Sequence, residues 1–196
     1  MFCSYCKAFI LRCLYFAHVR IISGTKKGHI IKAPNNLPTR PTTDRSKESL
    51  FNVLNNWYDL DECDVLDLYG GTGNIAYEFA SRGAQSVITI DRFKGCTDFI
   101  YSESQKLGFT QIQVLRADVV AFLKKCPEQF HIIFADPPFA TKDYELLHQL
   151  VFENKLLKPN GTFIMEHHSV HDFSKLEHFE EARHYGQNVM SFYSYS

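Results

Sequence analysis

From residue 64 onward the chain alternates short apolar runs with helical patterns, and that alternation constrains the fold more than any other feature. Runs rich in Val, Ile, Leu and Phe occupy 64–69, 86–91, 112–116, 131–135 and 162–166. Helical patterns fill the gaps at 74–82, 93–107, 119–125 and 143–154, with Gly83 and Gly108 where helix-ending glycines belong. Parallel strands need a long crossover, so this spacing predicts a mostly parallel sheet with helices on both faces. The last two runs, 179–185 and 188–195, leave no room for a helix between them and are expected to pair antiparallel at the sheet's end. A chain of 196 residues suits one domain.

The first part of the chain reads differently. Runs at 20–23 and 29–33, around Gly24 and Gly28, predict a small hairpin. Pro34 to Pro41 is a turn-rich connection, and Asp44 is placed to cap a helix with the apolar face Leu50, Phe51, Val53, Leu54 and Trp57. Residues 1–48 hold nine Lys and Arg against two acids, +7, while the remaining 148 hold 12 against 20, −8. The net charge of −1 therefore hides a basic arm on an acidic body, able to bring a polyanion to one face. A solvated basic surface with no partner is the competing reading. Apolar residues at 45% and charged residues at 22% exclude a disordered or collagen-like chain.

The stretch 9–17 is apolar, but Arg12 interrupts it and it falls short of the about 20 residues of a membrane span. No small-residue cleavage site follows, so residues 1–18 are expected to lie outside the fold. Cys63, Cys96 and Cys126 are scattered, and Cys3-x-x-Cys6, near Cys13, has no second pair to complete a zinc site. Reduced thiols, a cytoplasmic location and no metal are expected. His167, His168 and His171 read as a surface cluster.

Asp67-Leu-Tyr-Gly-Gly-Thr-Gly73 follows the first long strand and precedes a helix. Glycines there let the backbone bend sharply, beyond the carboxyl end of a strand, where open parallel sheets bind ligands. Asp91 ends the next strand, 20 residues after Gly71, and a carboxylate there can accept both hydroxyls of a ribose. Gly71-Thr-Gly73-Asn-Ile-Ala76 also satisfies the G-x-G-x-x-A dinucleotide pattern, so NAD and S-adenosylmethionine both stay open. Asp67 favours the second, because an acid before the glycines would repel a pyrophosphate but can accept from a methionine amino group. Asp118, after the third strand, can accept from an adenine amine or cap the helix at Val119, and the two roles are compatible.

Asp136-Pro-Pro-Phe139 comes directly after the fourth strand. Two prolines fix the backbone and remove two N–H donors, so the loop presents only acceptors. An exocyclic amine has two N–H donors and a lone pair delocalised into its ring. If Asp136 and the Pro137 carbonyl hold both hydrogens, that lone pair can be aimed at an electrophile. Pro138 stiffens the turn, and Phe139 supplies a flat face for a base taken out of its stack.

The order glycine loop, acid, acid, DPPF resembles the amino-group methyltransferases. Arg20-Ile-Ile-Ser-Gly24 and Arg40-Pro-Thr-Thr-Asp-Arg45…Glu48-Ser-Leu-Phe-Asn52 narrow the resemblance to the RsmD-type family, the bacterial 16S rRNA (guanine-N2) methyltransferases, over about residues 20–196. The resemblance implies a Rossmann-like class I methyltransferase core at 59–196, with a seven-stranded, mostly parallel sheet. It implies an RNA-facing hairpin and helix at 19–58. Asp67, Tyr69, Gly71, Gly73, Asp91, Arg92, Asp118 and Val119 would bind S-adenosylmethionine, and Asp136 to Phe139 would hold the target guanine. Lys26, Lys27, Arg40, Thr42 and Arg45 would lie along the RNA, with Lys32 and Lys47 adding to the phosphate grip. Tyr69-Gly70 stands where many relatives have Phe-Ala. Val19 stands where the family begins with Met, which suggests a GUG start and an upstream extension. A monomer acting on ribosomal RNA, within the small subunit or its assembly intermediate and away from membranes, is expected. The rival readings are an adenine-N6 or other amino methyltransferase, an NAD-dependent oxidoreductase, and a non-catalytic RNA-binding assembly factor.

Overall fold

The computed structural model describes residues 17–34, 37 and 44–195. The expectations for the stretch before residue 17, for Cys3, Cys6 and Cys13, for most of the proline-rich connection, and for Arg40 and Thr42 lie outside the described residues. The element order is β1 (Ala17–Arg20), β2 (Ile30–Ala33), α1 (Asp44–Trp57), β3 (Asp64–Leu68), α2 (Asn74–Ser81), β4 (Ser86–Asp91), α3 (Lys94–Leu107), β5 (Ile112–Arg116), α4 (Val119–Leu123), β6 (Phe130–Ala135), α5 (Tyr144–Glu153), β7 (Leu157–His168), β8 (Phe179–Tyr185) and β9 (Asn188–Ser194). A 3-10 turn, Leu60–Glu62, lies just before β3.

Seven strands form one sheet in the order β5-β4-β3-β6-β7-β9-β8. The β5, β4, β3, β6 and β7 strands run parallel, and β9 is antiparallel to both neighbours. The alternation therefore did predict the sheet. Strands buried on both faces explain the near-continuous apolar runs. Alternate residues serve opposite faces: Val65, Val87, Ile132, Phe134 and Ile164 pack under α1, α2 and α3, while Leu66, Leu68, Ile88, Ile90, Ile133 and Met165 pack under α4 and α5.

Two boundaries differ from the sequence reading, each for a local reason. The first hairpin strand ends at Arg20 instead of beginning there. Ile22 and Ser23 leave the ladder because their amides donate to the buried Glu78 carboxylate, at 2.8 and 3.0 Å. Ala17 and His18, read as outside the fold, pair with Ala33 and Lys32. The seventh strand starts five residues before the 162–166 run and takes in Pro159-Asn160-Gly161 through a register shift opposite Phe130 and Ile132.

The hairpin does not stand apart. Val19, Ile21 and Ile31 belong to the same apolar cluster as Leu50 and Phe51 of α1 and Phe79 of α2. Under it lies a charged group that the sequence reading missed. Lys47 and Glu78 are both fully buried, 3.2 Å apart. Lys47 Nζ also donates to the Arg20 carbonyl and, at 2.7 Å, to Asn74 Oδ1, while Glu78 accepts from Arg82 Nε at 2.8 Å. Lys47 is consequently not a phosphate ligand, and burial lowers its pKa. Trp57, placed on the apolar face by its spacing, is 46% exposed and meets Phe192 only edge-on.

Candidate active site

The glycine loop is built by three left-handed residues at alternate positions, Tyr69 (φ 66), Gly71 (φ 56) and Gly73 (φ 80). Tyr69 is the strained one, since a Cβ disfavours that conformation. The loop's amides are largely committed within the protein. Gly70 N–H donates to the Ile90 carbonyl at 2.8 Å, Gly73 N–H to the Gly70 carbonyl at 2.7 Å, and Gly71 N–H to Asp91 Oδ2 at 3.0 Å. The other Asp91 oxygen accepts from Phe93 N–H at 2.8 Å. A dinucleotide pyrophosphate needs those amides and the free start of the next helix. Here the Asp67 carboxylate already takes the Ala76 amide near the start of α2. The loop therefore fits S-adenosylmethionine, which brings no phosphate, better than NAD.

Asp67 itself is buried and works from beneath the loop. Thr89 Oγ1 donates to its Oδ2 at 2.9 Å. Burial pushes its pKa up to about 7; the Asp91 charge adds to this, and the Thr89 and Ala76 donors oppose it. Its contacts with Thr89 and the Ala76 amide brace the loop from below. A Cβ on Gly70 would fall on Thr89 Oγ1, so the small residue at 70 and the hydroxyl at 89 form a matched pair. A Cβ on Gly73 would lie 2.6 Å from the Tyr77 ring.

The other residues expected to bind the cofactor lie at neighbouring strand ends. The Tyr69 phenol is raised first by burial, then by Asp143 and Asp118, with Arg92 opposing, so the loop, β4 and β5 meet around it. Arg92 is exposed, its guanidinium 4.8 Å from the Phe93 ring centre. Asp118 is exposed and caps α4, accepting from Ala121 N–H at 3.0 Å. The Val119 side chain is buried in the core, which leaves its backbone for any ligand contact.

The DPPF loop leaves β6 beside this loop. Leu68 and Ala135 are register partners in adjacent parallel strands, and Asp136 N–H reaches back to the Leu68 carbonyl at 3.4 Å. Pro137 is buried and Pro138 exposed. The Pro138 carbonyl accepts from Thr141 N–H at 2.8 Å, closing the turn. Phe139 is 42% exposed and meets His168 edge to face, 5.8 Å between ring centres. Tyr144 stands close enough for Asp136 and Glu166 to raise its pKa after burial does.

The three histidines are not one surface cluster. His167 is buried, its Nε2 2.8 Å from Ser191 Oγ, and burial lowers its pKa. Among the described residues no group of three His, Cys, Asp or Glu could hold a metal ion. No described helix is long and apolar enough to cross a membrane. On the basic arm, Lys26, Lys27, Lys32 and Arg45 are exposed, while Arg20 pairs with Asp44 at 2.9 Å. A cleft of about 740 Å³ between Trp57, His131, Thr162 and Glu180 opens at the amino ends of β3, β6 and β7, away from every motif above.

Thr89 and Glu78 were missed, and Lys47 was read as a phosphate contact and His168 as part of a surface cluster. Lys47 left a signal, because it falls with Leu50, Phe51 and Leu54 at helical spacing on the buried stripe of α1. Thr89 left none within a run of β-formers.

A family model described as conserved hypothetical protein 95 matches residues 19–194. Ribosomal RNA small subunit methyltransferase D of Haemophilus influenzae is 35% identical over 152 residues, 76% of this chain and 78% of that protein. The protein of the same name from Buchnera aphidicola is 34% identical over 148 residues, covering 76% and 75%. The solved yhhF protein of Escherichia coli matches with a TM-score of 0.78 at 25% identity, over 90% of this chain and 97% of that one.

Proposed function

Because the chain belongs to the conserved hypothetical protein 95 family, the RsmD-type rRNA methyltransferases, we propose that it methylates the exocyclic N2 amine of a guanine in small-subunit ribosomal RNA. The observation that carries this reading is the register of β3 and β6, which sets the Asp136–Phe139 loop, whose two prolines carry no N–H, directly beside the glycine loop. S-adenosylmethionine, when bound, supplies an electrophilic methyl group on a sulfonium. Tyr69, Gly71, Gly73, Asp91, Arg92, Asp118 and the Val119 backbone are the groups that would hold it, with Asp67 bracing the loop.

Asp136 and the Pro137 carbonyl accept the two amine hydrogens and turn the nitrogen lone pair toward the methyl group. Holding those hydrogens favours the tetrahedral nitrogen that forms as the bond is made, so the contribution is positioning and electrostatics. Phe139 carries the face of the extruded base. Lys26, Lys27 and Arg45, joined by Arg40 and Thr42, contact the RNA backbone, and residues 19–58 form the RNA-facing arm on the 59–196 core. The enzyme acts as a cytoplasmic monomer on the small subunit or its assembly intermediate.

The test is transfer of labelled methyl groups to small subunits from a deletion strain, followed by nucleoside identification. N2-methylguanosine is expected. N6-methyladenosine would replace this reading with the adenine one, and absence of any product would favour a non-catalytic factor.

A further inference from the structure

His168 ends β7, next to the strand that feeds the DPPF loop. Ala135 pairs with Met165, so Phe139 lies four residues past one end of a rung and His168 three past the other. The two rings therefore emerge at the same height and meet at 89°. Val170 N–H donates to His168 Nδ1 at 3.2 Å. That bond fixes the neutral tautomer with its proton on Nε2. Among the described residues nothing accepts from Nε2, and the ring is only partly covered. A pre-oriented donor thus stands beside the aromatic platform.

We propose that His168 is a specificity-determining residue, its ring the second wall of the pocket for the target purine and its Nε2–H a donor to guanine O6. The assignment rests on the reading above. Asp136 takes the C2 amine at one end of the Watson–Crick edge, and O6 is the acceptor at the other end. Adenine has an amine in place of that acceptor and would set donor against donor. A site built to donate to a substrate oxygen rejects an analogue that lacks it.

The test uses small subunits reconstituted on rRNA carrying either guanosine or 2-aminopurine at the methylated position. 2-Aminopurine keeps the C2 amine and lacks O6. The wild type is expected to prefer guanosine by about tenfold or more in kcat/KM. His168→Phe keeps a ring and loses the donor; it should lower the guanosine value about tenfold and leave 2-aminopurine within about twofold. His168→Gln keeps a donor and loses the ring; it should retain the preference with a higher KM for both subunits, and it serves if the Phe variant fails to fold. Equal losses on both substrates, or no loss on either, would overturn the assignment while leaving guanine methylation by the wild type intact. A wild type that methylates no guanine would overturn both.

Discussion

Replacing Lys47 with Met isolates the buried charge that joins the hairpin to α2. The variant keeps length and apolar stem and removes an ammonium held by the Arg20 carbonyl, Asn74 Oδ1 and Glu78. Breaking a buried ion pair from one side costs about 3–5 kcal/mol. Glu78 retains Arg82 and the Ile22 and Ser23 amides, so the low end applies, about 3 kcal/mol. For a domain of this size that lowers the melting temperature by roughly 6–12 °C. The assay is urea and thermal unfolding of Lys47→Met, Glu78→Gln and the double variant, with exposed Lys26→Met as control. The control should stay within about 0.5 kcal/mol of wild type. The double variant should lose at least about 1 kcal/mol less than the two singles summed. The pH dependence gives a second signature. Burial lowers the Lys47 pKa from its ordinary 10.5, so over that interval the unfolded chain holds a proton the native state has released. Stability from this group therefore rises with pH up to about 10.5, and Lys47→Met abolishes the rise. A Lys47→Met protein as stable as the control, or strictly additive losses, would refute the reasoning.

Three further outcomes follow from the site. Gly70→Ala drives a methyl group onto Thr89 Oγ1 and should cost about 1–3 kcal/mol and weaken S-adenosylmethionine binding by calorimetry; adding Thr89→Ala should recover part of the stability. Asp67, with its pKa raised to about 7, holds a proton in the native state that the unfolded chain releases near 3.8. Its contribution is full below about 3.8 and lost as pH rises through about 7, a loss on the order of 4 kcal/mol that urea titrations should show in the wild type and not in Asp67→Asn. Asp136→Ala should lower kcat by about 10²–10³ with S-adenosylmethionine affinity within about twofold, and a matching loss of donor binding would count against its place on the acceptor side.

The parallel core was legible because β3, β4, β5 and β6 are each a short, largely apolar run followed by a helix. The motif loops were legible because glycine and proline act on the backbone itself, whatever surrounds them. What the sequence hid is what depends on contacts between distant segments. Glu78 draws Ile22 and Ser23 out of strand geometry from 55 or more residues away, and no local pattern reports that. Asp67 was visible as an acid before glycines, but whether it faced a ligand or the interior turned on Thr89, 22 residues later. His167 and His168 are adjacent in sequence, and no local pattern separates them, whereas the strand's alternation buries His167 against β9 and leaves His168 at the rim.

The pairing of Leu68 with Ala135 also decides where this protein can tolerate change. The glycine loop and the Asp136–Phe139 loop are separated by a single step between hydrogen-bonded strands, so their spacing is inherited from the sheet and not from the loops. A slip of one residue would move one loop past the other by about 3.3 Å and exchange the faces of every side chain on that strand. Drift in the loops farther from this rung, such as residues 169–178, leaves the separation untouched. The spacing of the two loops is therefore kept in four rungs, Val65–Ile132 through Leu68–Ala135, in which Asp67 is the one polar side chain.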